Sequence, residues 1–144
     1  MSNRLFIAHQ TVESIENWET ALYQVASEAL RAKALGALYL KEVVDTVQTA
    51  QAMLVLNEDT ILFHARPSEA VRQATVSYLH VKAGVGYFNK TLHHVFLFAA
   101  QTDQEHLEML KVLSRLVFEQ TTNHTLYDSD AMRRYLSKTF KVEP

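Results

Sequence analysis

The sequence predicts a single domain of the α/β or α+β class, in which helices cover a sheet of a few strands. Three observations support this prediction. The chain has 144 residues, which suits one hydrophobic domain, and 48% of them are hydrophobic. Apolar patterns follow the order of two helices, several strands and two further helices. Only three glycines and two prolines occur, so no low-complexity linker divides the chain, and we expect one domain over residues 1–144.

Charge and composition exclude several classes of protein. The formal net charge of −2 provides no basic field for nucleic acid or for an anionic membrane. There is no cysteine, so a disulfide, a thiolate nucleophile and a sulfur-ligated metal are all excluded. The apolar stretch at the start is short and is interrupted by His9 and Gln10, and no other run has the length of a membrane span. We therefore expect a cytoplasmic protein that does not insert into a membrane.

The first two elements are expected to be helices. In NWETALYQVASEALRAKALG, apolar residues recur every three or four positions, as on one face of a helix. Asn17 is expected to cap its start, and Gly36 to supply the left-handed residue at its end. A second helix is expected from about Leu38 to Leu54. Its apolar side consists of Leu40, Val43, Val44, Val47, Ala50 and Leu54.

Three strands are expected next. ILF is a short strand that ends at His64, because Pro67 has no N–H to donate to a ladder. Residues 74–82 are rich in β-branched and aromatic side chains, which indicates a second strand, and AGVGYFNK is expected to be a turn. HVFLFAA, residues 94–100, is apolar at successive positions. This pattern is typical of a strand covered on both faces, so we place it in the centre of the sheet.

Two helices are expected to complete the chain. Thr102 and Glu105 form a capping box at the start of TDQEHLEMLKVLSRLV. TTNHTLYDSD is a polar loop, and SDAMRRYLSKTF is the last helix. The buried stripe of the first of these helices is expected to be Leu107, Leu110, Leu113, Leu116 and Val117. The inward side of the second is expected to be Met132, Tyr135, Leu136 and Phe140.

Seven histidines are present, and a single histidine in a sequence usually has a structural role. We assign that role to His9, His80 and His124. His64 differs because it ends a strand, and in open α/β sheets ligands gather beyond strand ends. His106 lies in the first turn of the capped helix, where free N–H groups and the helix dipole favour an anion.

These two imidazoles suggest phosphoryl transfer. If folding brings them together, one can attack phosphorus while the other, with the helix amides, stabilises the phosphoryl oxygens. Such a relay needs no metal or other cofactor. Periodicity alone does not establish that His64 and His106 meet. Arg66 either clamps a phosphate or only caps the turn.

A metal-dependent hydrolase is another class that the histidines leave open, using His93, His94 and His106. Neighbours on a strand point to opposite faces, so His93 and His94 cannot easily bind one ion. There is no HExxH helix and no cysteine to complete a site. We therefore expect no metal.

Two segments resemble the enzyme IIA component of the bacterial sugar phosphotransferase system, of the mannitol/fructose class. TILFHARPSEAV resembles the family's motif around its phosphorylated histidine, usually Gly-Ile-Ala-X-Pro-His-Ala-Arg-Pro. VFLFAAQTDQEHLEMLKVLSRLV is similar to the family's strand, short loop and His-Leu-X-X-Leu helix. The paired helices at the start also follow the family pattern, so the expected core covers about residues 18–140. The matching positions are Ile61, His64, Ala65, Arg66, Pro67, Val71, Leu97, Ala99, Ala100, His106, Leu107, Leu110 and Leu113.

The resemblance implies a fold, partners and a role for each site residue. The implied fold is a small mixed sheet flanked by helices. His64 would accept phosphate from the phosphocarrier protein HPr and pass it to an enzyme IIB, which serves a membrane sugar permease. His106 would support the phosphoryl group, and Arg66, which lies in the same matching motif, is the further candidate for a phosphate contact.

The sequence also departs from the family pattern. Phe63 stands where the family usually has proline, and QTAQAML replaces the Arg-Glu that many members carry near the end of the second helix. Gln48 or Gln51 then lies near the position of an arginine that would hold phosphate. These changes leave open a regulatory module that keeps the fold and senses phosphorylation without feeding a transporter. The sugar is not indicated, because the membrane component binds it.

Overall fold

The computed structural model describes residues 4–123 and 128–142 of the chain. Within these residues the chain forms four strands, four α-helices and one short 3₁₀ turn. None of the helices described there has both the length and the apolar character needed to cross a bilayer.

The four strands form one mixed sheet. They are β1 (Phe6–Val12), β2 (Thr60–Phe63), β3 (Thr75–Tyr87) and β4 (Lys90–Ala99), and their order across the sheet is β1-β3-β4-β2. β3 and β4 are antiparallel, whereas β1 pairs with β3, and β2 with β4, in parallel. The predicted small mixed sheet is confirmed, and β4 lies in its interior as expected.

Helices cover both faces of the sheet. The helices on one face are α1 (Trp18–Arg31) and α2 (Ala37–Ala50), and a 3₁₀ turn (Gln51–Leu54) continues α2. On the other face are α3 (Asp103–Asn123) and α4 (Ser129–Ser137). The predicted order of helices, strands and helices is therefore correct from the first helix onward.

Side chains of β4 alternate between two hydrophobic cores. Val95 and Leu97 pack with α1 and α2, while Phe96 and Phe98 pack with α3 and α4. All four are completely buried. Burying such a side chain stabilises the fold by roughly 1.5–3 kcal/mol. Burial on both faces therefore explains why this strand is apolar at successive positions.

The buried stripe of α3 differs from the prediction at its first position. Leu107 is 59% exposed, whereas Met109 is completely buried. Met109, Leu113 and Leu116 follow the helical period and face the sheet. Leu107 lies two residues before Met109, which is about 200° around the helix, and so it faces solvent.

Two of the predicted helix starts are confirmed. The backbone N–H of Thr20 donates to Oδ1 of Asn17 at 2.8 Å, which caps α1. The N–H of Glu105 donates to Oγ1 of Thr102 at 3.1 Å, and the Glu105 carboxylate accepts from the N–H of Gln101 at 2.8 Å. The side chains of Thr102 and Glu105 therefore each accept a hydrogen bond from a backbone N–H at the start of α3.

The prediction for Gly36 is wrong. The left-handed residue after α1 is Lys33, with φ of 61°, and Gly36 has φ of −93° and precedes α2 as its N-cap. The left-handed residue comes earlier than predicted because the helix ends before Gly36. The N–H of Ala34 donates to the carbonyl of Ala29 at 2.9 Å, which closes the last turn of α1. Leu35 then returns to the core, where it is 1% exposed.

Two strand segments were not expected from the sequence. β1 carries the polar residues His9 and Gln10, yet it pairs with β3, and the amide nitrogen of Gln10 donates to the Gln24 carbonyl at 3.0 Å. The predicted turn AGVGYFNK is mostly strand, because β3 continues to Tyr87 and β4 begins at Lys90.

The predicted polar loop TTNHTLYDSD is only partly tested. Its first three residues belong to α3, which extends to Asn123, so the loop begins later than expected. Residues 124–127, including His124, lie outside the described residues. Asp128 caps α4 by accepting from the N–H of Asp130 at 2.9 Å.

A bulge interrupts β3 between His80 and Val85. His80 pairs with His94 and Val85 pairs with Leu92, so four residues of β3 stand opposite one residue of β4. Gly84 lies in this bulge with φ of 82°, which favours glycine. A Cβ atom there would lie 2.6 Å from Cγ2 of Thr91.

The outer edge of β2 is partly covered by the chain that precedes it. Val55 forms an isolated antiparallel bridge with Ile61, and the N–H of Leu56 donates to the carbonyl of Thr60 at 3.0 Å. The edge of this four-residue strand is therefore not a long row of unpaired backbone groups.

His94 is a buried polar side chain on the α3 face of the sheet. It is 5% exposed, and its Nδ1 lies 2.7 Å from the hydroxyl of Tyr78. Its Nε2 lies 3.9 Å from the carboxylate of Asp59, and its ring stacks on His80 at 5.6 Å between centroids. Burial lowers the pKa of His94 to about 4, although Asp59 opposes this shift. His94 is therefore neutral in the folded protein at pH 7.

We expect Gly84→Ala to destabilise the protein by about 2 kcal/mol, because the new methyl group meets Thr91 and the backbone conformation disfavours L residues. Gly86→Ala is the matched control, since no atom lies within 4 Å of the place that its new methyl group would occupy and its φ is not left-handed. Urea unfolding measures both. Equal effects of the two substitutions would contradict this account of the bulge.

We expect the free energy of unfolding to decrease as the pH falls from 6.5 towards 4. In this range the unfolded state protonates His94 with its ordinary pKa of 6.5, whereas the folded state does not. The expected loss from this residue is at most about 3 kcal/mol. Urea unfolding at several pH values, compared with His94→Gln, isolates the contribution, because the variant lacks the titrating ring. Parallel pH curves for the two proteins would show that His94 does not cause the loss.

Candidate functional site

His64 lies directly after β2 and packs against β4. Phe63, the last residue of β2, points into the α1–α2 core, so the alternation of the strand directs His64 to the opposite side. There its ring stacks on Phe98, with 4.6 Å between centroids and 23° between planes. The ring remains partly exposed. The imidazole of His64, at the end of β2, is therefore stacked on the ring of Phe98 and partly exposed to solvent.

A hydrogen bond defines the tautomer of His64. Its Nδ1 lies 2.8 Å from the carbonyl oxygen of Leu62. Because a carbonyl can only accept, the neutral ring carries its proton on Nδ1 and donates it to Leu62. Nε2 is then left with an available lone pair. Nε2 is therefore the nitrogen of His64 that is free to act as a nucleophile.

The structure brings His106 beside His64. His106 projects from the first turn of α3, and the centroids of the two rings are 5.2 Å apart at an interplanar angle of 63°. His106 also contacts Phe98, with 5.3 Å between centroids. Phe98 therefore supports both imidazoles, which lie edge to face. The pairing that periodicity alone did not establish is present in the fold.

Both imidazoles are held in the neutral form at pH 7. Burial lowers the pKa of His64, the hydrogen bond to Leu62 opposes this shift, and His106 adds to it. Burial also lowers the pKa of His106, with Asp103 acting in the opposite direction. A neutral imidazole is the nucleophilic form, and burial favours this form in His64.

One nitrogen of His106 is buried and unpaired beside His64 within the part of the chain that the structure describes. Its Nδ1 is buried and has no hydrogen-bond partner among the described residues. Buried polar atoms in native structures are nearly always paired, so an unpaired one needs an explanation. A ligand oxygen bound next to His64 would supply the missing partner.

The other sequence-predicted residues lie at the surface. Arg66 is exposed and, within residues 4–123 and 128–142, makes no hydrogen bond or ion pair. Gln48 and Gln51, which the resemblance places near a phosphate-holding arginine of the family, are also exposed. The backbone carbonyl of Gln51 accepts from the hydroxyl of Tyr87 at 2.8 Å.

The sequence did not identify two residues that shape the site. Phe98 was assigned only to the core, but its ring also supports both histidines. Tyr39 is not among the predicted site residues, although its hydroxyl contacts the backbone of Ala65, next to His64. The sequence does indicate that Tyr39 is buried, because it lies four residues before Val43 on the same side of α2.

A metal centre built from His93, His94 and His106 is not formed. His94 contacts Tyr78 and His80 on the sheet, whereas His106 packs against His64. Within the described residues no three histidine, cysteine, aspartate or glutamate side chains are grouped so that they could hold a metal ion. A shallow concavity of about 670 Å³ is lined by residues around Asp59, Lys90 and His93, and neither His64 nor His106 belongs to it.

Several solved structures have the same fold at low sequence identity. The mannitol-specific cryptic phosphotransferase enzyme IIA CmtB from Escherichia coli has a TM-score of 0.76 at 16% identity, over 91% of this chain and 92% of that protein. Enzyme IIA of the mannitol system from Escherichia coli, solved with phosphorylated enzyme IIB, has a TM-score of 0.70 at 14% identity, over 96% of both chains. Nitrogen regulatory protein IIA-Ntr from Neisseria meningitidis has a TM-score of 0.62 at 17% identity, over 90% of both chains.

Sequence comparison identifies the family. No curated protein sequence matches the chain. Residues 6–138 match the family described as phosphoenolpyruvate-dependent sugar phosphotransferase system, EIIA 2, which spans nearly all of the described fold. Together with the shared fold, this match shows that the chain belongs to the enzyme IIA 2 family of the sugar phosphotransferase system.

Proposed function

We propose that this chain is a phosphocarrier of the sugar phosphotransferase system, in which His64 accepts phosphate from HPr and passes it to an enzyme IIB. The observation that carries the proposal is the edge-to-face pair of His64 and His106, with Nε2 of His64 unprotonated. Family membership supports a phosphotransfer role in general, and the geometry supports His64 as the residue that carries the group.

The transfer step needs no proton acceptor. The lone pair on Nε2 of His64 attacks phosphorus, a bond forms between this nitrogen and phosphorus, and the bond from phosphorus to the HPr histidine breaks. The electron pair of that bond returns to the HPr ring. As the new bond forms, the His64 ring gains positive charge, which the Leu62 carbonyl stabilises through the Nδ1–H hydrogen bond. Attack by the enzyme IIB nucleophile reverses these changes.

His106 would stabilise the phosphoryl group during this step. Its unpaired Nδ1 can donate a hydrogen bond to a phosphoryl oxygen when the neutral ring carries its proton there. The beginning of α3 adds the partial positive charge of a helix N-terminus. We assign Arg66, two residues after His64, a supporting role as a further cation for the phosphoryl oxygens.

The departure at Phe63 lies away from the proposed chemistry. Phe63 is completely buried in the α1–α2 core, with its ring 6.0 Å from that of Trp18. It therefore fills the core on the face opposite to His64. This replacement of the family's proline is compatible with phosphocarrier function.

The surface around the histidines suits transient protein partners. Leu107, next to His106, is 59% exposed, so an apolar side chain borders the charged group to be transferred. The solved complex of mannitol enzyme IIA with phosphorylated enzyme IIB supports an enzyme IIB as one partner. HPr would be the other, and a membrane sugar permease would receive the phosphate indirectly. Such a carrier would act in the cytoplasm.

Incubation with enzyme I, HPr and radiolabelled phosphoenolpyruvate tests the proposal. We expect wild-type protein to take up label and His64→Ala to take up none, because the acceptor nitrogen is missing. His106→Ala should lower the rate by about 100-fold or more, through loss of a stabilising donor. His93→Ala is the matched control, since this histidine lies outside the pair, and it should be labelled like wild type. Label on His64→Ala would refute the assignment.

A chase with purified enzyme IIB of the mannitol class separates a transport role from a regulatory one. A carrier is expected to lose its label to enzyme IIB within the time needed to acquire it, because transfer through an imidazole is reversible. The likeness to nitrogen regulatory protein IIA-Ntr makes the regulatory module the alternative. Label that enters from HPr but never leaves, with each of several enzyme IIB proteins, would favour that alternative.

A further inference from the structure

Tyr39 makes a buried hydrogen-bond bridge directly behind the histidine pair. It lies in the first turn of α2 and is completely buried. Its hydroxyl oxygen is 2.9 Å from the backbone nitrogen of Ala65 and 2.8 Å from the carbonyl oxygen of Phe98. The carbonyl oxygen of Ala65 is farther away, at 3.2 Å. With a single proton, the hydroxyl accepts from Ala65 and donates to Phe98, the nearer carbonyl.

This hydroxyl stands where backbone pairing of β2 and β4 has ended. The last paired residues are Phe63 and Leu97. Beyond them, the N–H of Ala65 and the carbonyl of Phe98 are joined through the Tyr39 oxygen, so two hydrogen bonds in series replace a direct one. The bridge supplies a hydrogen-bond partner to both buried backbone groups, and it separates the segment at Ala65 from the segment at Phe98. His64 lies at this point, with its ring on Phe98.

We infer that Tyr39 is a positioning residue for phosphoryl transfer: its bridge between Ala65 and Phe98 sets the place of the His64 ring. The inference deepens the proposed function and rests on it for the effect on transfer. Tyr39 acts through the backbone, because it contacts the residue after His64 and the residue whose ring supports both imidazoles. Burial raises the pKa of Tyr39 far above its usual value, so the hydroxyl retains the proton that it donates.

Loss of the hydroxyl has a definite physical consequence. In Tyr39→Phe, the N–H of Ala65 and the carbonyl of Phe98 lose their shared partner while they remain buried. An unpaired buried backbone group is costly, so the two segments must move together or admit water. Either change displaces Ala65 and therefore the neighbouring His64, whose tautomer depends on the contact between Nδ1 and Leu62.

The experiment compares Tyr39→Phe with Tyr87→Phe. Tyr87 is the matched control because it is also buried, and its hydroxyl also donates to a backbone carbonyl, that of Gln51 at 2.8 Å. Nitrogen-15 NMR of the free proteins reports the tautomer and the pKa of His64. We expect the pKa of His64 in Tyr39→Phe to move up towards 6.5, with Nε2–H tautomer appearing, and no change in Tyr87→Phe. Labelling from HPr should slow by about 10- to 100-fold in Tyr39→Phe only.

The two readouts separate this inference from the proposed function. If wild-type protein takes no label from HPr, the proposed function fails, but the NMR comparison still decides whether Tyr39 positions His64. An unchanged His64 tautomer and pKa in folded Tyr39→Phe would overturn the inference. If Tyr39→Phe does not fold, amide hydrogen exchange of the wild-type protein tests whether the Tyr39 bridge is present. The Ala65 N–H, although outside any strand, should then exchange as slowly as the amides of β4, and rapid exchange would overturn the bridge.

Discussion

Burial of β4 on both faces is the constraint on which the site depends. Alternate side chains of this strand enter different cores, with Leu97 towards α1 and α2 and Phe98 towards α3 and α4. Each helical layer contributes one residue near the end of the strand, Tyr39 from α2 and His106 from α3. Both layers are packed on the same strand, so Phe98 contacts a residue from each. Its backbone carbonyl accepts from Tyr39, and its ring contacts His106.

The same apolar surroundings account for the charge state of His64 and His106. Withdrawal from water lowers the pKa of both His64 and His106, so both rings are neutral at pH 7. A backbone carbonyl then selects which nitrogen of His64 is free. The orientation of the ring and its charge state are thus both produced by packing and backbone geometry.

Local patterns predicted most of the elements and some of the site. Periodicity and capping located the helices, and a run of apolar residues located β4, because these signals depend on neighbouring residues. β1 was not predicted because the polar residues His9 and Gln10 contact residues from other elements, Tyr78 and Gln24. The bridge of Tyr39 to Phe98 spans 59 positions, which no local pattern reports. His64 and His106 were identified as chemically suited to the site, but their approach is a product of the sheet order.

The partly covered outer edge of β2 has a consequence for any protein that docks near His64. The strand has four residues, Pro67 follows it closely, and the chain around Val55 folds back beside it. A fully open strand next to His64 would favour addition of another protein's strand, and with it aggregation or domain exchange. Because this strand is short and part of its edge is already paired within the chain, addition of a foreign strand beside His64 is disfavoured.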